Sequence, residues 1–260
     1  MRKIHPVPGP DLQVTPRVTS GPMPAGVVEL ASYYGNGATG STPVLRANMV
    51  SSADGAASLE GRSGGLSGPA DRMVFTVLRS LADLILVGAG TVRAERYRPV
   101  RAAEIWGGLR PADAPVPAIA VVSGRLELDP GSALLTGAAP GAQTIVITTG
   151  TAPPERRNAI ARHARVIEAG TDRLDLAAAV SALHGLGYAS ILTEGGPALL
   201  GHLADADLID ELCLTTSPVL AGGSASRITT CVSPHSERLS LAHVLYDDGF
   251  LFSRYQRHRE

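Results

Sequence analysis

The residues best placed to do chemistry lie in Ser190-Ile-Leu-Thr-Glu-Gly-Gly-Pro-Ala-Leu-Leu-Gly201. A short apolar strand (Ile191, Leu192) runs into a glycine pair (Gly195, Gly196). Pro197 then opens a helix, at a position where its missing N–H is not needed. Glycines let the backbone approach a ligand closely, and the free N–H groups and dipole of a helix start favour a phosphate. Glu194 brings a carboxylate to the same crevice. Together these suit a site for a phosphorylated small molecule, with an ordinary βα turn as the plain alternative. A second turn of the same build, Gly88-Ala89-Gly90-Thr91, follows the apolar run Leu84-Ile-Leu-Val87. If the two strands are neighbours, their turns grip one pyrophosphate from two sides, as an open α/β sheet holds a dinucleotide.

Other chemistries fit less well. The Gly88 turn lacks the third glycine of a dinucleotide fingerprint, and no acidic residue follows a clear second strand. No GK[ST] and no GxSxG occurs, which removes a P-loop and a nucleophile elbow. The seven histidines show no HxxxH or HxH spacing, so no metal is expected. Nucleotide-dependent redox or transfer chemistry remains.

The bulk numbers agree with a cytoplasmic globular enzyme. The 260 residues suffice for a sizeable core, and the net charge of −1 offers nothing to nucleic acid or an anionic membrane. Two cysteines without CxxC spacing suit a reducing compartment. The N-terminus lacks the apolar h-region of a signal peptide, and no run is long enough to span a bilayer.

The elements that must position the two turns read as alternating strands and helices. Residues 1–42 are expected to be an extension of mostly loop, with a short helix at Val27–Leu30, and residues 43–260 the main domain. Val44–Val50 reads as a strand closed by the Asp54-Gly55 turn, followed by a glycine-rich flap over 61–68. Met73, Val74, Val77, Leu78 and Leu81 follow helical spacing from Pro69 to Ala82. Arg93–Pro117 reads as a long surface connection. Strands at Ala118–Val122, Thr144–Thr148 and Val166–Ile167 alternate with helices at Pro154–Ala164 and Leu174–Leu186. Beyond the opening stretch come a strand from Glu211 and an alternating strand at Phe250–Tyr255, which suits antiparallel pairing. The expected class is α/β, a mixed, mostly parallel sheet flanked by helices, with antiparallel C-terminal strands.

Ser52-Ala-Asp54-Gly55, Leu66-Ser67-Gly68-Pro69, Leu84-Ile-Leu-Val-Gly-Ala-Gly-Thr-Val92, Ile191-Leu-Thr-Glu-Gly-Gly-Pro197 and Asp210-Glu211-Leu212 occur in one order. In this combination, over roughly Val44–Tyr255, the chain resembles the reductase domain of bacterial riboflavin biosynthesis, a family with the dihydrofolate reductase-like fold. The resemblance implies a homodimer that uses NADPH to reduce 5-amino-6-(5-phosphoribosylamino)uracil to its ribitylamino product. It also implies residue roles. Gly88, Ala89, Gly90 and Thr91, with Gly195, Gly196, Pro197, Ala198, Leu199 and Leu200, would hold the cofactor's phosphates. Val50, Gly65, Glu95 and Ser123 would complete the cofactor side. Asn48, Ser63, Arg79, Arg101 and Glu194 would meet the substrate, the arginines suiting its phosphate. Asp54 and Glu194 would be the catalytic acids.

The chain departs from the family's pattern in places. Asn48 stands where bacterial bifunctional members carry Lys, as in archaeal relatives. Gly64-Gly65 replaces a common Gln-Trp, which opens the cofactor side. No H-x-E followed by P-C-x-x-C occurs, so no deaminase step is expected. A dihydrofolate reductase-like activity on a pterin, and a non-catalytic NADP-binding protein, are the alternatives.

Overall fold

The computed structural model describes residues 1–5, 25–35, 43–230 and 238–257. Ten strands form one sheet in the order β1-β9-β10-β8-β2-β7-β3-β4-β5-β6. The parallel part comprises β2 (Val44–Ser51), β3 (Leu84–Gly88), β4 (Ala118–Val122), β5 (Ile145–Thr148), β6 (Arg165–Glu168), β7 (Ser190–Thr193) and β8 (Glu211–Thr216). Antiparallel strands extend it: β10 (Phe250–Arg257) pairs with β8, β9 (Leu239–Asp247) with β10, and β1 (Arg2–His5) with β9. The mixed, mostly parallel sheet with antiparallel C-terminal strands matches the expected class.

Seven helices flank the sheet among the described residues: α1 (Ala25–Tyr33), α2 (Pro69–Ser80), α3 (Ala89–Glu95), α4 (Ala133–Thr136), α5 (Pro154–Ala161), α6 (Leu176–Gly185) and α7 (Pro197–Asp205). The apolar run of β3 is explained by cover on both faces. Leu84 and Leu86 join the core beneath α6 and α7, while Ile85 and Val87 pack against Ala89 and Val92 of α3. α2 and α1 share a further core with Cys213, Leu245 and Phe252. Burial pushes the Cys213 thiol up to about 12, so it is inert.

Glu211 explains why the Asp210-Glu211-Leu212 motif matters to folding. Its carboxylate accepts from Arg46 at 2.6 Å and from Arg254. Those guanidiniums also donate to the carbonyls of Tyr34 and Tyr33, each at 2.7 Å. Two cations thus close the C-terminal end of α1, where the helix dipole favours them. Burial opposes the Glu211 charge, but Arg46 and Arg254 outweigh it and hold its pKa below the ordinary value.

The structure adds elements that the sequence did not announce. In the N-terminal stretch β1 joins the sheet edge through β9. Residues 6–24 and 36–42 lie outside the described residues, as does Cys231. The connection from Arg93 to Pro117 runs mostly over the surface, as expected, but it is pinned to the core. Val100, Ile105 and Trp106 are buried in it, and Trp106 N–H donates to Ser80 Oγ at 2.8 Å. Its few large apolar side chains suffice to fold it back over α2 and α3. β9 was absent from the sequence reading altogether.

Candidate active site

β3 and β7 are parallel neighbours, with Leu84 opposite Ile191 and Leu86 opposite Thr193. Their glycine turns therefore emerge side by side at the carboxyl ends of the sheet. Gly88 N–H donates to the Gly195 carbonyl at 2.8 Å, and Glu194 N–H to the Leu86 carbonyl at 3.1 Å. The Gly195–Gly196 peptide is cis. Gly195 has φ +75°, and a Cβ there would stand 3.0 Å from Met49 Sδ. A Cβ on Gly196 would stand 2.6 Å from Thr91 Oγ1. Only glycine leaves this cradle open. α7 starts from Gly196 with no side-chain cap, so its first N–H groups face outward for a ligand.

At the same edge Glu194 is fixed by side chains. Arg79 Nε donates to Oε1 and Nη2 to Oε2, both at 2.7 Å, and the Tyr97 hydroxyl donates to Oε2. The Glu194 side chain is 3% exposed and that of Arg79 14%. The guanidinium also lies over the Phe75 ring, 4.2 Å from its centroid. Burial disfavours the Arg79 charge, but the Glu194 carboxylate outweighs it and raises the guanidinium pKa. Burial, then the Glu194 charge, pushes the Tyr97 phenol well above its ordinary value. Two carboxylate oxygens offer about four acceptor directions. Three are taken here, and Oε1 keeps one for a ligand.

Between these features lies a cavity of about 400 Å³. Asn48, Val50, Ser63, Gly90, Thr91, Glu95, Glu194, Gly196 and Pro197 line it, so nine of the expected residues come together. Ser63 and Glu95, expected on different ligands, meet each other instead. Ser63 N–H and Oγ both donate to Glu95 Oε1, at 2.9 and 3.0 Å, which ties the flap to α3.

The other expected residues stand elsewhere. Gly88, Ala89 and Gly195 shape the turns from behind, while the Leu199 and Leu200 side chains are buried and Ala198 lies in the first turn of α7. Gly65 packs on the Leu59 side chain within the flap. Ser123 sits one strand away at the end of β4, its N–H donating to the Ile147 carbonyl. Arg79 braces Glu194 and is not itself in the cavity wall. Arg101 is exposed and paired with Glu104, outside the wall. Asp54 lies outside it too: its carboxylate takes the Ser52 hydroxyl and the N–H groups of Ala221 and Gly222. Those bonds, the Ser52 one first, hold it well below the ordinary carboxylate range. It ties the turn after β2 to the loop after β8.

The sequence reading missed Tyr97, Phe75, Asp71 and Arg72. Tyr97 was hidden in the presumed surface connection. Asp71, Arg72 and Phe75 lie off the apolar positions that marked α2 as a helix, yet all three line the cavity.

A glycine cradle at the carboxyl ends of adjacent parallel strands, opening on a cavity lined by side chains, is the build of an α/β enzyme site. The chain belongs to the RibD C-terminal domain family, whose model matches residues 43–249. It is similar to the 2,5-diamino-6-ribosylamino-4(3H)-pyrimidinone 5′-phosphate reductase of Methanothermobacter thermautotrophicus, 32% identical over 189 residues, 71% of this chain and 82% of that one. The riboflavin biosynthesis protein RibD of Mycobacterium tuberculosis is 29% identical over 187 residues, 72% of this chain and 45% of that longer one. Among solved structures, a pyrimidine reductase-like protein of Corynebacterium diphtheriae superposes with TM-score 0.75 at 26% identity, covering 95% of this chain and all of the other.

Proposed function

We propose that this protein is a pyrimidine reductase of riboflavin biosynthesis, which uses NADPH to reduce a ribosylaminopyrimidine 5′-phosphate to the ribitylamino product. The observation that carries this is the adjacency of the β3 and β7 turns beside Glu194, in a chain of the RibD C-terminal domain family. The glycine cradle fits a dinucleotide, because the Cβ of any other residue at Gly196 would press on Thr91. NADPH supplies a hydride there. The chain's own residues orient the two ligands: the α7 start and Thr91 take phosphate, Glu194 offers Oε1 to a ring N–H, and Asn48 faces the pyrimidine from β2. The substrate phosphate is best met by Arg72, which lines the cavity and has no ion pair among the described residues, whereas Arg79 and Arg101 are engaged by Glu194 and Glu104.

The homodimer is supported by an apolar sheet face. Leu251 pairs with Tyr246 and with Thr216, Tyr255 with Leu212, and Ser253 with Leu214 and Val244. These residues point away from the core that holds Phe252, Leu245 and Cys213. Leu251 and Tyr246 stand 37% and 38% exposed there, which suits burial against a second copy. No helix among the described residues is long and apolar enough to cross a membrane. We place the enzyme in the cytoplasm, where NADPH and phosphorylated intermediates are kept.

The test is NADPH oxidation with the 2,5-diaminopyrimidinone and uracil forms of the substrate and with dihydrofolate, in parallel. Turnover of either pyrimidine at catalytic protein concentration is expected. Turnover of dihydrofolate alone overturns the reading.

A further inference from the structure

Asp71 is a carboxyl buried where helix formation does not require it. It is the third residue of α2, a position where an acid usually stands in water and interacts with the helix dipole. Here it is only 9% exposed, and it lines the same cavity as Thr91, Gly196 and Glu194. Its direct partners are hydroxyls. Ser67 Oγ donates to Oδ2 at 2.6 Å, and Thr215 donates from β8. No cation forms a bond with it; Arg72, next on the helix, adds only its charge. From α1 the facing titratable group is Tyr34, whose phenol burial keeps neutral. From β2 the cavity wall carries only Asn48, Met49 and Val50, and across the cavity stand Glu95 and Glu194.

A carboxyl taken out of water without a bonded cation is disfavoured in its charged form. Burial accordingly raises Asp71 above the ordinary carboxylate range, against the pull of Ser67, Thr215 and Arg72. A hydroxyl can donate or accept. Ser67 and Thr215 therefore accommodate either protonation state of Asp71 by turning an O–H, with no heavy atom displaced.

Reduction of a C=N bond needs a proton as well as a hydride. Of the acids on the cavity wall, Glu194 accepts from Arg79 and Tyr97, and Glu95 holds the flap through Ser63. Asp71 alone has only hydroxyl partners. On the function proposed above, we infer that Asp71 is the proton donor of the reduction. A C1′–H bond forms with the hydride that NADPH gives up in becoming NADP⁺. The π bond between C1′ and nitrogen in the ring-opened imine breaks, and its electron pair moves to nitrogen. An N–H bond forms there as the Asp71 O–H breaks, and water reprotonates the carboxylate after product leaves.

Two measurements test this. Infrared difference spectroscopy of the protein alone follows carboxyl protonation with pH. A protonated band persisting above the ordinary carboxylate range is expected in the wild type and absent in Asp71→Asn. Ser67→Ala, which removes a bond to the charged form, moves that band's titration to higher pH. With substrate and NADPH, wild-type kcat falls as pH rises through the same titration. Asp71→Asn lowers kcat by about 100-fold or more and abolishes that limb, with KM changed less. An unaltered infrared titration in Asp71→Asn, or wild-type kcat and pH profile in that variant, overturns the inference. A wild type that shows the band yet reduces no ribosylaminopyrimidine overturns the functional reading instead.

Discussion

Replacing Arg79 with methionine removes the one cation bonded to Glu194 among the described residues while keeping an apolar stem of similar reach over Phe75. Glu194 is 3% exposed at its side chain, so it cannot turn to water once the two 2.7 Å bonds are gone. The Tyr97 hydroxyl alone remains. Breaking a buried pair from one side costs about 3–5 kcal/mol, because a buried charge is left without compensation. In a domain of this size each kcal/mol lowers Tm by about 2–4 °C, so a fall of about 6–20 °C is expected. Glu194→Gln is milder. Arg79 keeps the Phe75 ring and some access to solvent, and loses a charge-assisted bond worth about 1.5–3 kcal/mol. The double variant has neither buried charge, so it should be more stable than Arg79→Met alone, which requires a coupling larger than the Glu194→Gln cost, about 3 kcal/mol.

Urea unfolding reads this out through Trp106, the single tryptophan, which is buried against the core that α2 shares. The runs must share one protein concentration, because association shifts apparent stability. The midpoint should move with m unchanged. A loss below about 1 kcal/mol in Arg79→Met, or a double variant no more stable than the single one, would show that Arg79 does not hold Glu194.

Gly196→Asp should abolish NADPH binding in a calorimetric titration with the fold intact, since it sets an anion and a Cβ against Thr91 in the phosphate cradle; unchanged affinity removes that turn from the cofactor site. Arg72→Gln should raise KM for the phosphorylated substrate about tenfold or more and leave a dephosphorylated analogue unaffected, and equal effects on both would release Arg72 from the phosphate. Burial, then the charges of Arg254 and Lys3, lowers His243 to about 4. A depressed folded pKa gives stability that is present above the ordinary value of 6.5 and lost as pH falls toward 4, on the order of 3 kcal/mol in all. His243→Phe should flatten that slope in pH-dependent melts, and a slope that persists assigns it elsewhere. Tyr246→Glu should yield a monomer by light scattering; an unchanged dimer would exclude the outer face of β9 and β10 from the interface.

The two turns were legible because glycine and proline mark backbone geometry, which local sequence dictates. Gly88–Thr91 and Thr193–Pro197 each announce a strand end and a helix start without reference to anything distant. That β3 lies beside β7 was not legible, since 101 residues separate Gly88 from Ser190 and strand order follows from packing. β9 carried a usable signal: Asp248-Gly249 is a hairpin turn, and the apolar residues before it pair with β10. Tyr97 carried none. It lies among Arg93, Arg96, Arg98 and Arg101, and its partners are distant: Glu194 just after β7, Arg79 on α2 and the core under α3.

That difference between the two halves of the site has a physical root. On the proposed function the cofactor half is made of backbone, namely a glycine cradle and a helix start, so it depends on the absence of side chains and tolerates little change. The substrate half is made of side chains, Asp71, Arg72 and Arg79 on one helix with Tyr97 on the folded connection and Glu194 at the turn. α2 presents Arg72 and Phe75 to the cavity and keeps Met73, Val74, Val77 and Leu78 in the core. Its exposed positions are therefore free to change without loss of packing, while the glycine turns are not.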